Sequence, residues 1–200
     1  MPKNIALFGA TGSIGSSVLK ILDNDRDELC LKVITCNQNI SSLVEISKRY
    51  GCSNLGISDI NSSIDSNEIL INKNIIYGIE NFEDFINDDI DIYILAISGL
   101  SSANLALKIA ETGKTLAIAN KENIISLGKI LLNKCKKFKT CLFPLDSEHN
   151  AIYQLLENNN RSIRDIVITA SGGPFLNLEL NKFESITPEQ AIRHPKWKMG

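Results

Sequence analysis

The 200-residue sequence predicts an α/β fold: a doubly wound parallel sheet covered by helices on both faces, followed by the start of an α+β domain. Three observations carry that expectation. Short apolar runs alternate with longer amphipathic stretches, the order that repeated βα units produce. The composition, 44% hydrophobic and 22% charged, is that of a chain able to bury a core. A glycine-rich turn, Gly9-Ala10-Thr11-Gly12-Ser13-Ile14-Gly15, separates the first apolar run from the first amphipathic one.

In chain order, residues 4–8 read as a short buried strand, and 13–22 as a helix with Ile14, Val18, Ile21 and Leu22 on its apolar face. Residues 29–36 form a second strand, 41–50 a helix and 54–58 a third strand, while the polar stretch 59–73 reads as a surface excursion. The run Ile92-Tyr93-Ile94-Leu95-Ala96-Ile97 makes 90–97 a strand buried on both faces. It leads through the turn Ser98-Gly99 into a helix over 101–112, closed by Gly113. A strand at 115–119, helical residues to about 138, a strand at 140–143 and a helix over 147–157 follow, the last with Ala151, Ile152 and Leu155 in register. Past the polar run 157–160 the character changes, so a boundary near residue 150 is expected, with 1–150 and 151–200 as domains. Residues 163–169 read as one more strand, and Thr187-Pro188-Glu189-Gln190 as a capping box with proline at the first helical position.

Charge and cysteine usage narrow the function classes. A net charge of −2 argues against an electrostatic nucleic-acid or membrane binder. No apolar run approaches the roughly 18 residues that span a bilayer, and residues 1–4 run straight into a strand with no room for a signal peptide. Five cysteines, odd in number and never spaced C-x-x-C, read as reduced thiols of a cytoplasmic protein.

The placement of the glycine turn matters more than its letters. After a strand and before a helix, glycines permit the tight turn and let backbone approach a pyrophosphate, which then rests on free N–H groups at the helix N-terminus. NAD-binding versions carry an acid at the end of the second strand; here that end reads Thr35-Cys36-Asn37-Gln38-Asn39. The missing carboxylate favours NADPH, although Gln38 stands where a cation would help most.

Two further strand ends carry chemistry-bearing residues. Asp146 and Glu148, in Pro144-Leu145-Asp146-Ser147-Glu148-His149, offer hard oxygens suited to Mg²⁺ or Mn²⁺. The same residues serve equally as a helix cap and first-turn acid, and sequence physics leaves both readings open. Asn120-Lys121-Glu122 follows the strand at 115–119 and points at the same crevice, or simply starts a surface helix. Ser171-Gly172-Gly173 can form an anion-binding nest or an ordinary turn before Pro174.

These segments, GATGSIG at 9–15, ANKE at 119–122, PLDSEHNA at 144–151, SGGPF at 171–175 and RHPKWKMG at 193–200, together resemble the 1-deoxy-D-xylulose 5-phosphate reductoisomerase family. The resemblance covers the whole chain in order. It implies that Thr11, Gly12, Ser13 and Ile14 hold the NADPH pyrophosphate. Asn37, Gln38 and Asn39 fall near the adenosine 2′-phosphate, where the family commonly has glycine and then arginine or lysine. By the same resemblance Asn120, Glu122 and Gly200 contact the cofactor, and Asp146 and Glu148 are two of three carboxylate ligands of a Mn²⁺ or Mg²⁺ ion. Lys121, Ser147, Ser171 and His194 meet the sugar phosphate substrate, Ser171 at its phosphate, and Trp197 belongs to a loop closing over the site.

The implied reaction rearranges the carbon skeleton of the ketose phosphate at the metal. It then reduces the branched aldehyde with NADPH to 2-C-methyl-D-erythritol 4-phosphate. Members act as homodimers on a small molecule, without nucleic acid or membrane, in the cytoplasm or in plastid-type organelles after loss of a transit peptide. They continue past the Trp-x-Met-Gly sequence into a block with a serine, an Asn-Lys pair and a glutamate, the third metal ligand. The chain therefore resembles the N-terminal half of the enzyme and is expected not to turn over alone.

Rival readings fare less well. A short-chain dehydrogenase needs Tyr-x-x-x-Lys, but four residues after Tyr50, Tyr77, Tyr93 and Tyr153 stand Asn54, Asn81, Ile97 and Glu157. A semialdehyde dehydrogenase needs a nucleophilic cysteine, and neither Cys135 in a lysine-rich helical run nor Cys141 in a strand suits that role. The alternative from another class is a non-catalytic NADPH-binding module, against which Asp146, Glu148, Ser171 and His194 argue, since a sensor needs no metal site.

Overall fold

A computed structural model describes residues 2–61, 73–157, 163–169 and 172–193. The chain divides into two compact units, Met1–Leu155 and Leu156–Gly200.

The first unit is built around seven parallel strands: β1 (Lys3–Phe8), β2 (Leu29–Cys36), β3 (Asn54–Ile57), β4 (Asn74–Tyr77), β5 (Ile92–Leu95), β6 (Thr115–Ile118) and β7 (Cys141–Pro144). Their order across the sheet is β4-β3-β2-β1-β5-β6-β7, so the chain reverses its direction of travel between β1 and β5. That reversal is the topological switch point, where loops leave in opposite directions and open a crevice at the strands' carboxyl ends. The connecting helices are α1 (Ser13–Asn24), α2 (Ile40–Tyr50), α3 (Ala103–Ile109) and α4 (Lys121–Phe138), and α5 (Ser147–Glu157) follows β7.

Strand alternation splits the core into two layers. Ala6, Phe8, Tyr93, Leu95, Leu116 and Ile118 face α3, α4 and the 3-10 segment Ile79–Phe85. Ile5, Leu7, Ile34, Leu55 and Ile57 face Leu19 and Leu22 of α1 and Leu43 of α2. A bulge on β2, where Ile5 pairs with Leu31 but Ala6 with Val33, lets the exposed Lys32 leave the ladder and sends Leu31 and Val33 to opposite layers.

The expected strands and helices of this unit form, with shifts of a few residues at their ends, but three particulars differ. The buried face of α1 is Gly15, Leu19 and Leu22, while Ile14 is 36% and Ile21 56% exposed. The helix is pulled onto the sheet where it has no side chain: a Cβ on Gly15 would stand 2.4 Å from the Gly9 carbonyl oxygen. The apolar face expected on α5 is only partly covered: Ile152 is half-buried, whereas Ala151 is exposed and Leu155 is 65% exposed. Finally, β4 and the 3-10 segment were not apparent in the sequence; β4 is a four-residue edge strand with no buried residue. Most of the surface excursion expected at 59–73 lies outside the described residues. Helix α4 runs to Phe138 as expected but is interrupted at Gly128, whose φ of 46° and ψ of −123° are not helical.

In the second unit the strand expected at 163–169 does not form. Ile163, Ile166, Val167 and Ile168 are 55–83% exposed there, and no strand lies among the unit's described residues to pair with them. β-propensity alone does not make a strand without a ladder partner. The capping box does form: in α6 (Pro188–Ala191) the Thr187 hydroxyl accepts from the Gln190 N–H while the Gln190 side chain accepts from the Thr187 N–H.

All five thiols are free; Cys36, Cys52 and Cys135 are buried, Cys30 is half-buried and Cys141 exposed. Burial pushes the Cys36 and Cys52 thiols up to about 11. The reactive species is the thiolate. With a chromogenic disulfide at pH 8 we therefore expect Cys141 to react first, and Cys36 and Cys52 only in denaturant. Fast modification of Cys36 in the native chain would contradict the packing described.

Candidate functional site

The crevice at the switch point is shaped by how β1 ends. Gly9, at φ +92°, turns the chain out of the sheet; its N–H donates to Thr35 Oγ1 at 2.9 Å, and the Ala10 N–H donates to the Thr35 carbonyl at 2.8 Å. Thr35 is fully buried on β2, so the loop is pinned to the neighbouring strand from both its side chain and its backbone. On the other side, a Cβ on Gly9 would lie 2.5 Å from the Ala96 carbonyl oxygen just past β5. The loop is thus wedged between two strands, and only glycine fits.

Gly12 is different. It is the N-cap of α1, with φ −82° and ψ 177°, a backbone any residue adopts. A Cβ there would meet only the Gly9 carbonyl oxygen, at 3.5 Å. Neither strain nor packing requires glycine; its missing side chain leaves open space in the crevice. No side chain caps α1 and no acid occupies its first turn, so its N–H groups remain available to an anion.

Two clefts adjoin this loop. The larger, about 480 Å³, is lined by Gly9, Thr11 and Gly12, by Thr35, Cys36 and Asn37 at the end of β2, by Ser58 after β3, by Ile79, and by residues 96–98 and Ser101. The smaller, about 210 Å³, runs from Gly12, Ser13 and Ile14 past residues 96–98 to residues 119–122 and Asp146. Of the expected site residues, Thr11, Gly12 and Asn37 thus meet in one cleft. Gly12, Ser13, Ile14, Asn120, Lys121, Glu122 and Asp146 meet in the other.

Asn120 is 4% exposed and its side chain works inward. Its oxygen caps α4 by accepting from the Asn123 N–H at 2.9 Å, and its amide donates to the Ile97 and Gly99 carbonyls, tying down the loop that lines both clefts. Lys121 and Glu122 stand exposed on the first turn of α4. Asn39 is the N-cap of α2, accepting from the Ser42 N–H at 3.2 Å. Gln38 donates to the Asp59 carboxylate at 2.7 Å, across the ends of β2 and β3.

Asp146 follows β7 and caps α5: Oδ1 accepts from the His149 N–H at 3.0 Å and lies 3.1 Å from His149 Nδ1. Ser147 donates to Glu148 Oε2 at 3.1 Å, and both stand exposed outside the lining of either cleft. Among the described residues no group of three or more His, Cys, Asp or Glu is arranged to hold a metal ion. Asp146 thus offers hard oxygens at the edge of the smaller cleft and Glu148 stands outside it, and the two do not complete a coordination sphere. Ser171, His194, Trp197 and Gly200 lie outside the described residues. Sequence reasoning missed Thr35, whose role depends on which strand lies beside β1, and Asp59, an acid that stands beside Gln38 one residue after the cleft-lining Ser58.

Fold and crevice together define the class: a Rossmann-type α/β protein with a glycine loop at the switch point, the architecture in which dinucleotides bind. Comparison with known proteins narrows this. The model of the 1-deoxy-D-xylulose 5-phosphate reductoisomerase family matches residues 5–128, and that of its C-terminal domain matches 142–200; the chain belongs to this family. It is 41% identical over 99% of its length to the 1-deoxy-D-xylulose 5-phosphate reductoisomerase of Pelagibacter ubique, of which it covers 52%. It is also 35% identical, over its full length, to that of Zymomonas mobilis, again covering 52% of the relative.

Among solved structures, the Zymomonas mobilis reductoisomerase in complex with NADPH superposes with a TM-score of 0.89 at 34% identity over 98% of this chain and 52% of that one. A reductoisomerase in complex with NADPH, fosmidomycin and magnesium gives 0.83 at 28% identity, over 99% and 52%. The chain spans about half the length of the curated relatives it matches. Among the described residues no helix is long and apolar enough to cross a membrane.

Proposed function

We propose that the chain is the nucleotide-binding part of an NADPH- and divalent-metal-dependent reductoisomerase, which converts 1-deoxy-D-xylulose 5-phosphate to 2-C-methyl-D-erythritol 4-phosphate in non-mevalonate isoprenoid biosynthesis. On this reading residues 1–150 form the NADPH-binding domain, and 151–200 begin the catalytic domain with its closing loop. The single observation that carries the reading is the open space at Gly12, beside uncapped N–H groups of α1 and between two clefts that meet there.

The residues then divide the work. Thr11, Gly12, Ser13 and Ile14 seat the pyrophosphate on backbone N–H groups. Asn120 holds residues 97–99 in place along the clefts, and Glu122 and Gly200 approach the nucleotide. Lys121, Ser147, Ser171 and His194 position the sugar phosphate, and Trp197 helps to exclude water. Asp146 and Glu148 would hold Mn²⁺ or Mg²⁺, a Lewis acid that draws charge from the substrate's oxygens when bound. Family membership also supports a cytoplasmic homodimer acting on a small molecule, and the net charge of −2 speaks against nucleic acid or membrane as partner.

The test is a fluorescence titration of the full chain with NADPH, with and without Mn²⁺. Saturable enhancement is expected, with paramagnetic quenching by Mn²⁺ that disappears in an Asp146→Asn, Glu148→Gln double variant. The asparagine retains a capping oxygen for the helix. No NADPH binding, or quenching unchanged in the double variant, would overturn the reading. Binding that Mn²⁺ never influences would favour the non-catalytic nucleotide-binding module.

A further inference from the structure

The ladder between β2 and β3 continues past the strand ends. The Ser58 N–H donates to the Cys36 carbonyl at 2.9 Å and the Asp59 N–H to the Asn37 carbonyl at 3.2 Å. Asn37 and Ser58 line the larger cleft, so Gln38 and Asp59 sit side by side one residue further along its rim. Their side chains are joined at 2.7 Å, and the other carboxylate oxygen of Asp59 accepts from the Asn61 N–H at 2.9 Å. The carboxylate is therefore held in place by donors on both oxygens. In dinucleotide-binding sheets, the end of the strand beside the glycine loop is where the adenosine ribose lies, and an acid there accepts hydrogen bonds from the ribose hydroxyls.

Among the described residues that line this cleft none is a Lys or Arg. No Lys or Arg occurs in residues 4–19, 33–47, 50–72 or 74–107, the stretches that supply β3, β4, β5, most of β1 and the carboxyl end of β2, with the loops that follow. The charges these elements do place at their carboxyl ends are negative: Asp59 after β3, and Glu80 after β4. Neutral donors such as Asn37 and Ser58 remain, and they serve a hydroxyl as well as a phosphate oxygen. A phosphate dianion is recognised strongly by charge-assisted bonds from Arg or Lys, which this rim lacks.

We propose that Gln38 and Asp59 set nucleotide choice, and that the crevice accepts NADH at least as well as NADPH. Asp59 accepts from the free 2′-hydroxyl of NADH and repels the 2′-phosphate of NADPH; Gln38 fixes Asp59 in that orientation. This rests on reading the cleft as a dinucleotide site.

Both reduced nucleotides fluoresce, so the test is a pair of titrations of the full chain at fixed ionic strength. The dissociation constant for NADH should equal or fall below that for NADPH. Gln38→Arg places a cation beside Asp59 that offsets its charge and offers donors to the 2′-phosphate, and should tighten NADPH by about tenfold relative to NADH. Asp59→Asn should weaken NADH and tighten NADPH. NADPH bound more than tenfold tighter than NADH by the unaltered chain would overturn this inference and leave the cleft reading intact. Selectivity unmoved by both substitutions would also overturn it. Binding of neither nucleotide would remove the dinucleotide reading and this inference with it.

Discussion

Gly12→Ala is expected to weaken NADPH binding by one to two orders of magnitude while leaving the melting temperature nearly unchanged. Gly15→Ala, three residues away, is expected to unfold the chain at a markedly lower temperature. The backbone of Gly12 suits any residue, and its added methyl meets only the Gly9 carbonyl oxygen at an ordinary 3.5 Å. Losing a glycine from the unfolded ensemble stabilises by roughly 0.4–1 kcal/mol where the native backbone permits it, and alanine's poorer capping at this N-cap offsets a similar amount. In the bound state the same methyl stands in both clefts, and overpacking of about 1–3 kcal/mol corresponds to the stated loss of affinity.

At Gly15 the methyl would lie 2.4 Å from the Gly9 carbonyl oxygen and 2.5 Å from that of Ala10. Both are backbone atoms of a loop pinned by Thr35, so neither can yield without lifting α1 from the sheet. Alanine's better helix propensity, about 1 kcal/mol, offsets only part of a backbone clash at the upper end of the overpacking range, about 3 kcal/mol. The melting temperature should fall by about 5–10 °C for a chain this size. Thermal denaturation and NADPH titration of both variants check the pair. A stable Gly12→Ala variant that binds NADPH normally would remove the glycine loop from the binding site.

That contrast also marks what the sequence makes legible. The strands of the first unit can be read because each carries its own burial: an uninterrupted apolar run such as Ile92-Tyr93-Ile94-Leu95 is unstable in water whatever its neighbours. The glycine loop can be read because its function depends on local order, strand before and helix after. The face that α1 turns inward cannot be read in this way. Apolar periodicity favoured Ile14, Val18, Ile21 and Leu22. Leu22 is buried and Val18 packs against the core, but Ile14 and Ile21 stay out because the helix approaches through Gly15, where the loop before it leaves no room for a Cβ. Nor can the Gln38–Asp59 bond be read, because it joins residues 21 apart whose proximity follows from strand pairing. At residues 163–169 local propensity misleads outright, since a strand is a relation between segments and the described part of that unit supplies none. Asp146 illustrates the remaining case: both of its readings were visible, and one oxygen caps α5 while the residue also borders the smaller cleft.

Replacing Asn120 should have the other large effect, and here the choice of substitute separates positioning from contact. In the native chain one side chain does three things: its oxygen caps α4 at the Asn123 N–H, and its amide holds the Ile97 and Gly99 carbonyls. Asn120→Ala removes a cap, costing about 1 kcal/mol, and leaves two partly buried carbonyls short of a donor. A total loss of about 2–4 kcal/mol and a fall of about 5–10 °C in melting temperature are expected.

Nucleotide affinity should fall with it, because residues 96–98, which line both clefts, lose their tether. Asn120→Asp keeps the capping oxygen but turns the second one, now anionic, against two carbonyl oxygens. At neutral pH it should be at least as destabilised as the alanine variant. The cost is electrostatic, so it should be relieved by a proton. The introduced carboxyl would have its pKa raised in the folded state, since only the protonated form donates. Stability is lost as pH rises through the raised folded pKa and is fully regained only below the ordinary aspartate value of about 3.9, where the one carboxyl O–H replaces one of the two lost donors. Melting curves of the wild type and both variants between pH 4.5 and 8 distinguish the cases. If only a nucleotide contact were lost, all three would melt alike at every pH. If the tether holds the loop, the aspartate variant alone moves toward the wild type as the solution is acidified.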